Sequence, residues 1–204
     1  MGRPGFIRLG TARNGQAMAA GTRGRLIAEA EMLVRTRGYS GFSYADLGKA
    51  IGISKASIHH HFPAKEDLGA ALIDSYKQRY EAALEAIWDE SPSGIARIAA
   101  YARLYLKGIE QDQGCLCGVM ACERDILPQR LREGITQFFA EHLVWLRRVL
   151  EAGVENGTIR QGIDPAAQAK LILSALEGVL MLGRLFGEKS GFDAAIDALG
   201  KSLR

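Results

Sequence analysis

Apolar residues recur every three or four positions along most of this chain, which is the period of an amphipathic α-helix. The first such stretch places Leu26, Ala30 and Leu33 on one face, and Gly38 is positioned to end that helix in a left-handed conformation. Nowhere does the sequence contain a run of alternating β-branched residues, the signal of a half-buried strand. The pattern therefore predicts an all-α fold of about nine helices.

The second predicted helix is short and carries its own start signal. Ser43 followed three positions later by Asp46 is a capping box with Asp in the place of Glu. The helix would turn Leu47 inward and stop at Gly52, a residue type that commonly ends helices.

The third predicted helix covers about 55–62, and Ser54 is suited to cap it. Ile58 and Phe62 lie four positions apart on its buried side. Two short helices joined by the turn at 52–54 form a helix-turn-helix, which places its second helix in the major groove of DNA.

The rest of the chain continues the helical period. Asp164-Pro165 is a start signal, because an N-cap residue precedes proline at the first helical position. The first 21 residues are instead Gly-rich and basic without an apolar period, and we expect a flexible arm there. The remaining predicted helices cover about 64–88, 94–111, 117–126, 128–155, 165–186 and 192–203.

Charge is distributed unevenly along the chain. Residues 1–65 hold 10 basic and 3 acidic residues, whereas residues 66–204 hold 16 basic and 20 acidic residues. A basic head on an acidic body is typical of a module that binds a polyanion and is followed by a separate partner domain.

The outward side of the third helix has the chemistry that DNA binding requires. Lys55, Ser57 and His60 are polar, and the small side chain of Ala56 lets the start of the helix approach base edges. The adjacent run His59-His60-His61 predicts no metal site, because consecutive helical residues are about 100° apart and cannot converge on one ion.

Several other classes of protein are excluded. No stretch of about 18 uncharged apolar residues could span a membrane, and Arg3, Arg8 and Arg13 interrupt any secretory core. The sequence contains no Gly-rich phosphate loop, HExxH motif or nucleophile elbow, so it indicates neither catalytic residues nor a cofactor. We expect a cytoplasmic protein that is not an enzyme and does not bind membranes.

The segment at 22–72, TRGRLIAEAEMLVRTRGYSGFSYADLGKAIGISKASIHHHFPAKEDLGAAL, resembles the DNA-binding domain of the TetR/AcrR transcriptional regulators. It covers about a quarter of the chain, and its specificity lies in the combination of several short pieces. Those pieces are Arg37-Gly38-Tyr39, 43–47, Gly52-Ile53-Ser54-Lys55, 58–62 and Lys65-Glu66.

The resemblance implies a set of DNA-contacting residues. Lys55 and Ser57 would face the groove. His59, which stands where the family usually has Tyr, would reach the backbone or a base edge together with His60. Ser43 would cap the second helix and touch phosphate, and Lys65 would contact phosphate from the start of the fourth helix.

Two positions depart from the family pattern. Gly48 replaces a common Ala, and Ala64 replaces the usual Ser cap. Each departure should cost about 1 kcal/mol of helix stability. Neither lies in the groove-facing set, so they affect stability more than function.

The resemblance also implies how the whole chain is organised. A flexible arm at 1–21 would precede a helix-turn-helix domain at 22–68, and a helical effector-binding and dimerisation domain would follow at 69–204. The partners would be a palindromic double-stranded DNA operator, a second copy of the chain, and a small-molecule effector. The identity of the effector does not transfer from the family.

A stripe of apolar and small residues follows the predicted helix at 165–186 and continues into the last helix. It would form a two-fold helical bundle between subunits, or pack within its own subunit. Its members are Leu171, Ala175, Leu176, Val179, Gly183 and Phe186, with Ala195, Ile196 and Leu199.

Cys115, Cys117 and Cys122 lie within eight residues, and an odd cysteine count favours free thiols. The Gly-Cys-Leu stretch also resembles the opening of the sixth helix in a subset of the family. A thiol at a helix N-terminus can have a lowered pKa and react with oxidants or electrophiles. The alternatives are three small core residues, or a metal site for which no fourth ligand is close in sequence.

These features together predict a repressor that an effector releases from its operator. The alternative keeps the DNA module and makes modification of Cys115 or Cys117 the signal. A third interpretation is a helical enzyme or carrier whose helix-turn-helix is incidental. It is disfavoured because the basic head and the combined motif would then both be coincidences.

Overall fold

The structure, a computed structural model, describes residues 21–187 and 190–204. Every regular element in these two ranges is helical, with nine α-helices and one short 3-10 turn, as predicted. The expected arm at 1–21 lies, apart from Gly21, outside the described residues. The helices are α1 (Thr22–Arg37), α2 (Tyr44–Ile51), α3 (Lys55–His61), α4 (Lys65–Glu90), α5 (Gly94–Glu110), α6 (Leu116–Ala121), α7 (Gln129–Glu155), α8 (Pro165–Phe186) and α9 (Ser190–Ser202), with the 3-10 turn at Arg124–Ile126.

The first three helices form a small head. α1 turns Leu26, Ala30 and Val34 inward, at the spacing that the apolar period predicts. α2 and α3 contribute Leu47 and Ile58, which are both fully buried. The head therefore holds α3 by its inner side and leaves its outer side free.

The two glycines that end α1 and α2 differ in conformation. Gly52 is left-handed, with φ 74° and ψ 34°, and stops α2 as predicted. Gly38 was expected to be left-handed, but it has φ 88° and ψ 163°. The positive φ still favours glycine, while the extended ψ directs the chain into the loop that leads to α2.

The remaining helices form the body. α4 is 26 residues long and begins in the head. α7 packs against α4, α5 and α8, and α9 closes the bundle against α5 and α8. The interior of the body includes the fully buried aromatic side chains of Tyr101 and Phe138. The body also reaches back to the head, because α6 packs against α1.

The helix predicted at 117–126 is divided. α6 ends at Ala121, and the 3-10 turn follows at Arg124–Ile126. Glu123 lies between them with φ −100° and ψ 16°, and its carboxylate points to the head. The break between the two helical segments lies where Glu123 makes this long-range contact. The spacing of apolar residues along a helix does not predict such a contact.

The start of α8 follows its sequence signal. The Asp164 carboxylate accepts hydrogen bonds from the N–H groups of Ala166 and Ala167, at 2.9 and 3.3 Å. Pro165 is the first helical residue, as predicted. None of the helices in the described ranges is long and apolar enough to cross a membrane.

The apolar stripe predicted along α8 and α9 is divided between two environments. Leu176 and Leu199 are buried within their own subunit, so their assignment to an intersubunit bundle is wrong. Leu171 and Phe186 are instead 56% and 65% exposed. The reason is the helical period: Leu176 shares the inward face of α8 with Ile172.

Candidate functional site

The turn before α3 is held by backbone and side-chain hydrogen bonds. The N–H groups of Gly52 and Ile53 both donate to the carbonyl of Gly48, at 2.9 and 3.0 Å. Ser54 caps α3, since its Oγ accepts from the N–H of Ser57 at 3.1 Å. This geometry sets the direction of a helix only seven residues long.

The outer side of α3 is free of packing. Ile58 is buried on the inner side of the helix, and five of the predicted DNA-contacting residues are exposed on its outer side. The Oγ atoms of Ser57 and Ser54 are 3.0 Å apart, so the Ser57 hydroxyl is oriented by the cap. The exposed residues are Lys55, Ala56, Ser57, His59 and His60.

His59 is more constrained than its neighbours on this surface. Its Nδ1 lies 3.1 Å from the carbonyl of Pro63, and its ring meets Tyr44 edge-on at 4.9 Å. The Tyr44 hydroxyl lies 2.9 and 2.8 Å from the carbonyls of Phe62 and Ala64. Burial raises the pKa of Tyr44 to about 12, so it remains a donor. Sequence reasoning missed Tyr44, whose partners are nearly twenty positions away.

Ser43 and Lys65 both make internal contacts. The predicted capping box is present: Ser43 Oγ accepts from Asp46 N–H, and the Asp46 carboxylate accepts from Ser43 N–H at 2.8 Å. The Lys65 ammonium donates to the carbonyls of Tyr39 and Phe42, at 2.6 and 2.5 Å. Two of its three protons are thus used within the head.

The two departures from the family pattern have structural explanations. A Cβ atom on Gly48 would lie 2.7 Å from the carbonyl oxygen of Ile53, so α2 approaches the turn only because no side chain is present. At Ala64, the Asp67 carboxylate accepts the backbone N–H at 3.0 Å and supplies half of a capping box. The cost expected at Gly48 is offset by the close approach of α2 to the turn, and the cost at Ala64 is reduced by the local contact with Asp67.

Among the described residues, no group of three or more His, Cys, Asp or Glu side chains could hold a metal ion. In the run at 59–61, the centres of the His60 and His61 rings are 5.4 Å apart and their planes meet at 70°. His59 is turned toward Pro63 instead.

The three cysteines are free and occupy different environments. Cys115 is the N-cap of α6, and its Sγ accepts from the N–H of Gly118 at 3.4 Å. Burial and the nearby Glu177 nevertheless raise the pKa of Cys115 well above its usual value, contrary to the lowering expected at a helix N-terminus. Cys117 is fully buried, whereas Cys122 is exposed at the end of α6.

Two sets of hydrogen bonds join the head to α6 and the loop before it. Arg35 Nε donates to the carbonyl of Gly114 at 2.7 Å, and Gly114 N–H donates back to the Arg35 carbonyl at 3.0 Å. The Glu123 carboxylate accepts from the N–H groups of Tyr39 and Ser40, at 2.6 and 2.9 Å, and from the Ser40 hydroxyl. Sequence reasoning missed this junction, because its partners are about 80 positions apart.

Comparisons with known proteins place both halves of the chain. Residues 26–72 match the model of the bacterial regulatory proteins of the tetR family, and residues 94–199 match the tetracyclin repressor-like C-terminal domain. The chain is similar to the crystal structure of a TetR transcriptional regulator from Legionella pneumophila, with 32% identity, a TM-score of 0.82, and coverage of 91% of this chain and 98% of that chain.

Two further relatives agree. A TetR-family regulator from Agrobacterium tumefaciens shares 28% identity with a TM-score of 0.85, over 89% of this chain and 96% of that chain. The HTH-type transcriptional repressor NemR of Escherichia coli (strain K12) is 26% identical over 168 residues, which are 80% of this chain and 84% of that protein.

Proposed function

Because the chain belongs to the TetR family of DNA-binding transcriptional regulators, we propose that it is a repressor released from a palindromic operator by a small-molecule effector. It is a transcription regulator and not an enzyme. We assign DNA binding to 22–68, and effector binding and dimerisation to 69–204. Its place of action would be the cytoplasm, where its operator is.

The observation that carries the DNA-binding assignment is the free outer side of α3. Lys55, Ser57 and His60 are exposed there on a helix that Ile58 and the Ser54 cap hold in place. A short helix with small and polar residues at its start fits the major groove. Ser43, Ala56, His59 and Lys65 complete the proposed interface at its edges.

The test is operator binding by the full chain, with the duplex selected from a random pool. Affinity should fall by about 10³-fold or more between 50 and 200 mM salt, as release of counterions requires. Lys55→Ala should weaken binding, whereas Lys170→Ala, an exposed lysine on α8, should leave it unchanged. A chain that binds no duplex at any salt concentration would refute the proposal.

Base readout has a separate signature. Ser57→Ala or His60→Ala should lower the ratio of specific to random binding if either side chain reads a base edge. Equal losses on both kinds of DNA would reassign these side chains to the phosphate backbone.

We infer that the homodimer forms through the exposed apolar face of α8. Leu171, Met181, Leu185 and Phe186 are between 56% and 73% exposed, which is unusual for a row of large apolar side chains on one helix. A face of this kind can pair with its own copy across a two-fold axis. A dimer would present two α3 helices to the two halves of a palindrome.

Two single variants test the dimer, and each introduces one negative charge at an exposed apolar position. Leu185→Glu should give a monomer by light scattering and abolish operator binding. Val144→Glu, at a site on α7 that is 69% exposed, should remain dimeric. Dimers from both variants would rule out the α8 face.

Thiol modification is the second candidate signal, and the position of Cys115 supports it. Cys115 follows Gly114, which bonds to Arg35 in the head, and an adduct would find no free space in the core. Burial opposes a thiol signal, because it raises the pKa of both Cys115 and Cys117 and so disfavours the reactive thiolate.

Operator release after mild peroxide or maleimide would separate the candidates, with Cys115→Ser, Cys117→Ser and Cys122→Ser in parallel. Modification of the exposed Cys122 alone, without release, would eliminate the thiol signal. Release that disappears only in the Cys115→Ser or Cys117→Ser variant would establish it.

A further inference from the structure

A cavity of about 420 Å³ lies between the second half of α4 and the middle of α7. Its aromatic lining consists of Trp88, Phe138, His142 and Trp145. The volume lies in the range of small-molecule sites in proteins. Both tryptophans of the chain line this cavity, so tryptophan fluorescence reports on it directly.

The rim of the cavity is acidic. Glu81, Glu85 and Asp89 are exposed and follow one another at four-residue spacing on α4. Like charges at this spacing repel each other, and within the described residues neither Glu81 nor Glu85 forms an ion pair. Lys77 is already neutralised by Glu141 at 3.0 Å. The lining holds the four carboxylates of Glu81, Glu85, Asp89 and Glu141 against the two cations of Lys77 and Arg148, so negative charge predominates.

One aromatic residue of the lining, Trp88, already contacts cations of the protein itself. The guanidinium of Arg148 lies 3.7 Å from the centre of a Trp88 ring, and that of Arg97 lies 3.8 Å from it. This is the geometry of a cation–π contact. Trp145 stacks on Tyr101 at 5.5 Å and is half-exposed where it lines the cavity.

One polar atom in the lining lacks a partner. His142 is 2% exposed, and its Nδ1 lies 2.8 Å from the Tyr101 hydroxyl. Its Nε2 has no hydrogen-bond partner in the part of the chain that the structure describes. Burial lowers the pKa of His142 to about 4, so the imidazole is neutral near pH 7 and does not repel a cation.

We propose that this cavity binds an aromatic organic cation. The ring would lie against the half-buried Trp145, and the positive charge would lie near Glu81 and Glu85. His142 Nε2 would hydrogen-bond a polar substituent of the ligand.

The inference deepens the proposed function, on which it rests, because such a cation would be the effector. α4 begins in the head at Lys65 and lines the cavity with its second half. A ligand between α4 and α7 therefore acts on the helix that carries the head. It can release DNA only if it binds the conformation of the DNA-free protein more tightly than the DNA-bound conformation.

The test uses 1-methylquinolinium chloride with the full chain and follows quenching of tryptophan fluorescence. Quenching should be saturable, and the anionic 2-naphthoate should bind at least about ten-fold more weakly, because it has the same bicyclic size but the opposite charge. Equal or tighter binding of 2-naphthoate, or of neutral 2-methylnaphthalene, would overturn the proposal.

Two double variants separate a local site from the general field of the protein. Glu81→Gln with Glu85→Gln should weaken binding of the cation by about five- to ten-fold, without affecting 2-methylnaphthalene. Glu133→Gln with Glu155→Gln removes the same charge from exposed positions near the two ends of α7, where neither residue forms an ion pair within the described residues, and should change nothing. Equal losses in both double variants would refute a site at the rim.

Operator binding is measured on the same samples without the probe. If the operator binds and the cation does not quench, the cavity inference fails alone. If the cation binds but no duplex does, the proposed function fails and the cation site stands. If both bind and the cation leaves operator affinity unchanged, the effector role is refuted.

Discussion

Lys65 ties the first loop of the head to the start of α4. Its ammonium donates to the carbonyls of Tyr39 and Phe42 and lies 4.7 and 4.2 Å from the centres of their rings. Partial burial lowers the pKa of Lys65, although the nearby Glu123 opposes the shift. A residue expected to contact phosphate therefore also has an evident structural role.

Lys65→Met should lower the free energy of unfolding by about 2 kcal/mol, because it leaves two carbonyls without their charged donor. Lys55→Met is the matched control, since Lys55 is exposed, and it should change stability by less than about 0.5 kcal/mol. Urea unfolding of the DNA-free protein measures both. If the two variants are equally stable, Lys65 acts on DNA alone.

His142 should make stability depend on pH. Burial lowers its pKa from 6.5 to about 4. Between these two pH values the imidazole is protonated in the unfolded chain and neutral in the folded chain. The neutral imidazole thus contributes stability above about pH 7, which is lost as pH falls toward 4. The full difference corresponds to about 3 kcal/mol.

His142→Gln should flatten the pH profile between about pH 7 and 4 relative to the wild-type chain. Other carboxylates titrate there in both proteins, so the difference between the two profiles isolates His142. Chemical denaturation at several pH values supplies the measurement, and parallel profiles would show that His142 titrates normally.

Gly48 determines how closely α2 approaches the turn before α3. Alanine would ordinarily stabilise a helix interior by about 1 kcal/mol relative to glycine. Here the added Cβ would lie 2.7 Å from the Ile53 carbonyl, and backbone atoms cannot yield as a flexible side chain would.

Gly48→Ala should therefore destabilise the protein by about 1–3 kcal/mol, the usual cost of overpacking. Gly200→Ala in α9 is the control, because no atom lies within 4 Å of its added Cβ, and it should be neutral or slightly stabilising. Thermal unfolding distinguishes the signs, and a more stable Gly48→Ala variant would contradict the steric argument.

Glu123 links the body to the head, in addition to the covalent connection through α4. Its carboxylate accepts the N–H groups of Tyr39 and Ser40 in the loop between α1 and α2. Hydrogen bonds to a charged acceptor contribute about 1.5–3 kcal/mol each. The junction thus stabilises the observed position of the head relative to the body.

Glu123→Gln should loosen this junction, because an amide NH₂ group cannot accept a hydrogen bond. We expect amide exchange of residues 39 and 40 to accelerate about ten-fold or more, since even one lost bond exceeds 1.4 kcal/mol. Glu133→Gln, on the exposed side of α7, should leave exchange in this loop unchanged. Unaltered exchange in the Glu123 variant would remove it from the coupling between the domains.

The amino-acid sequence alone is sufficient to predict the all-α fold, the helix-turn-helix and the start signals of its helices. These follow from interactions within a few residues: the capping box at Ser43, the Ser54 cap, and the inward spacing of Leu26 and Ala30. Such local contacts are encoded in residue type and spacing. The exposed side of α3 was predictable for the same reason.

The roles of residues whose partners are distant in sequence depend on how the helices pack. Glu123 lies at the break in the predicted sixth helix and accepts hydrogen bonds from the head, and the Lys65 ammonium donates to internal carbonyls. Cys115 caps α6 as its position suggests, yet burial reverses the expected shift of its pKa. Burial and long-range contact depend on how the helices pack together, and the period of a single helix carries no information about that packing.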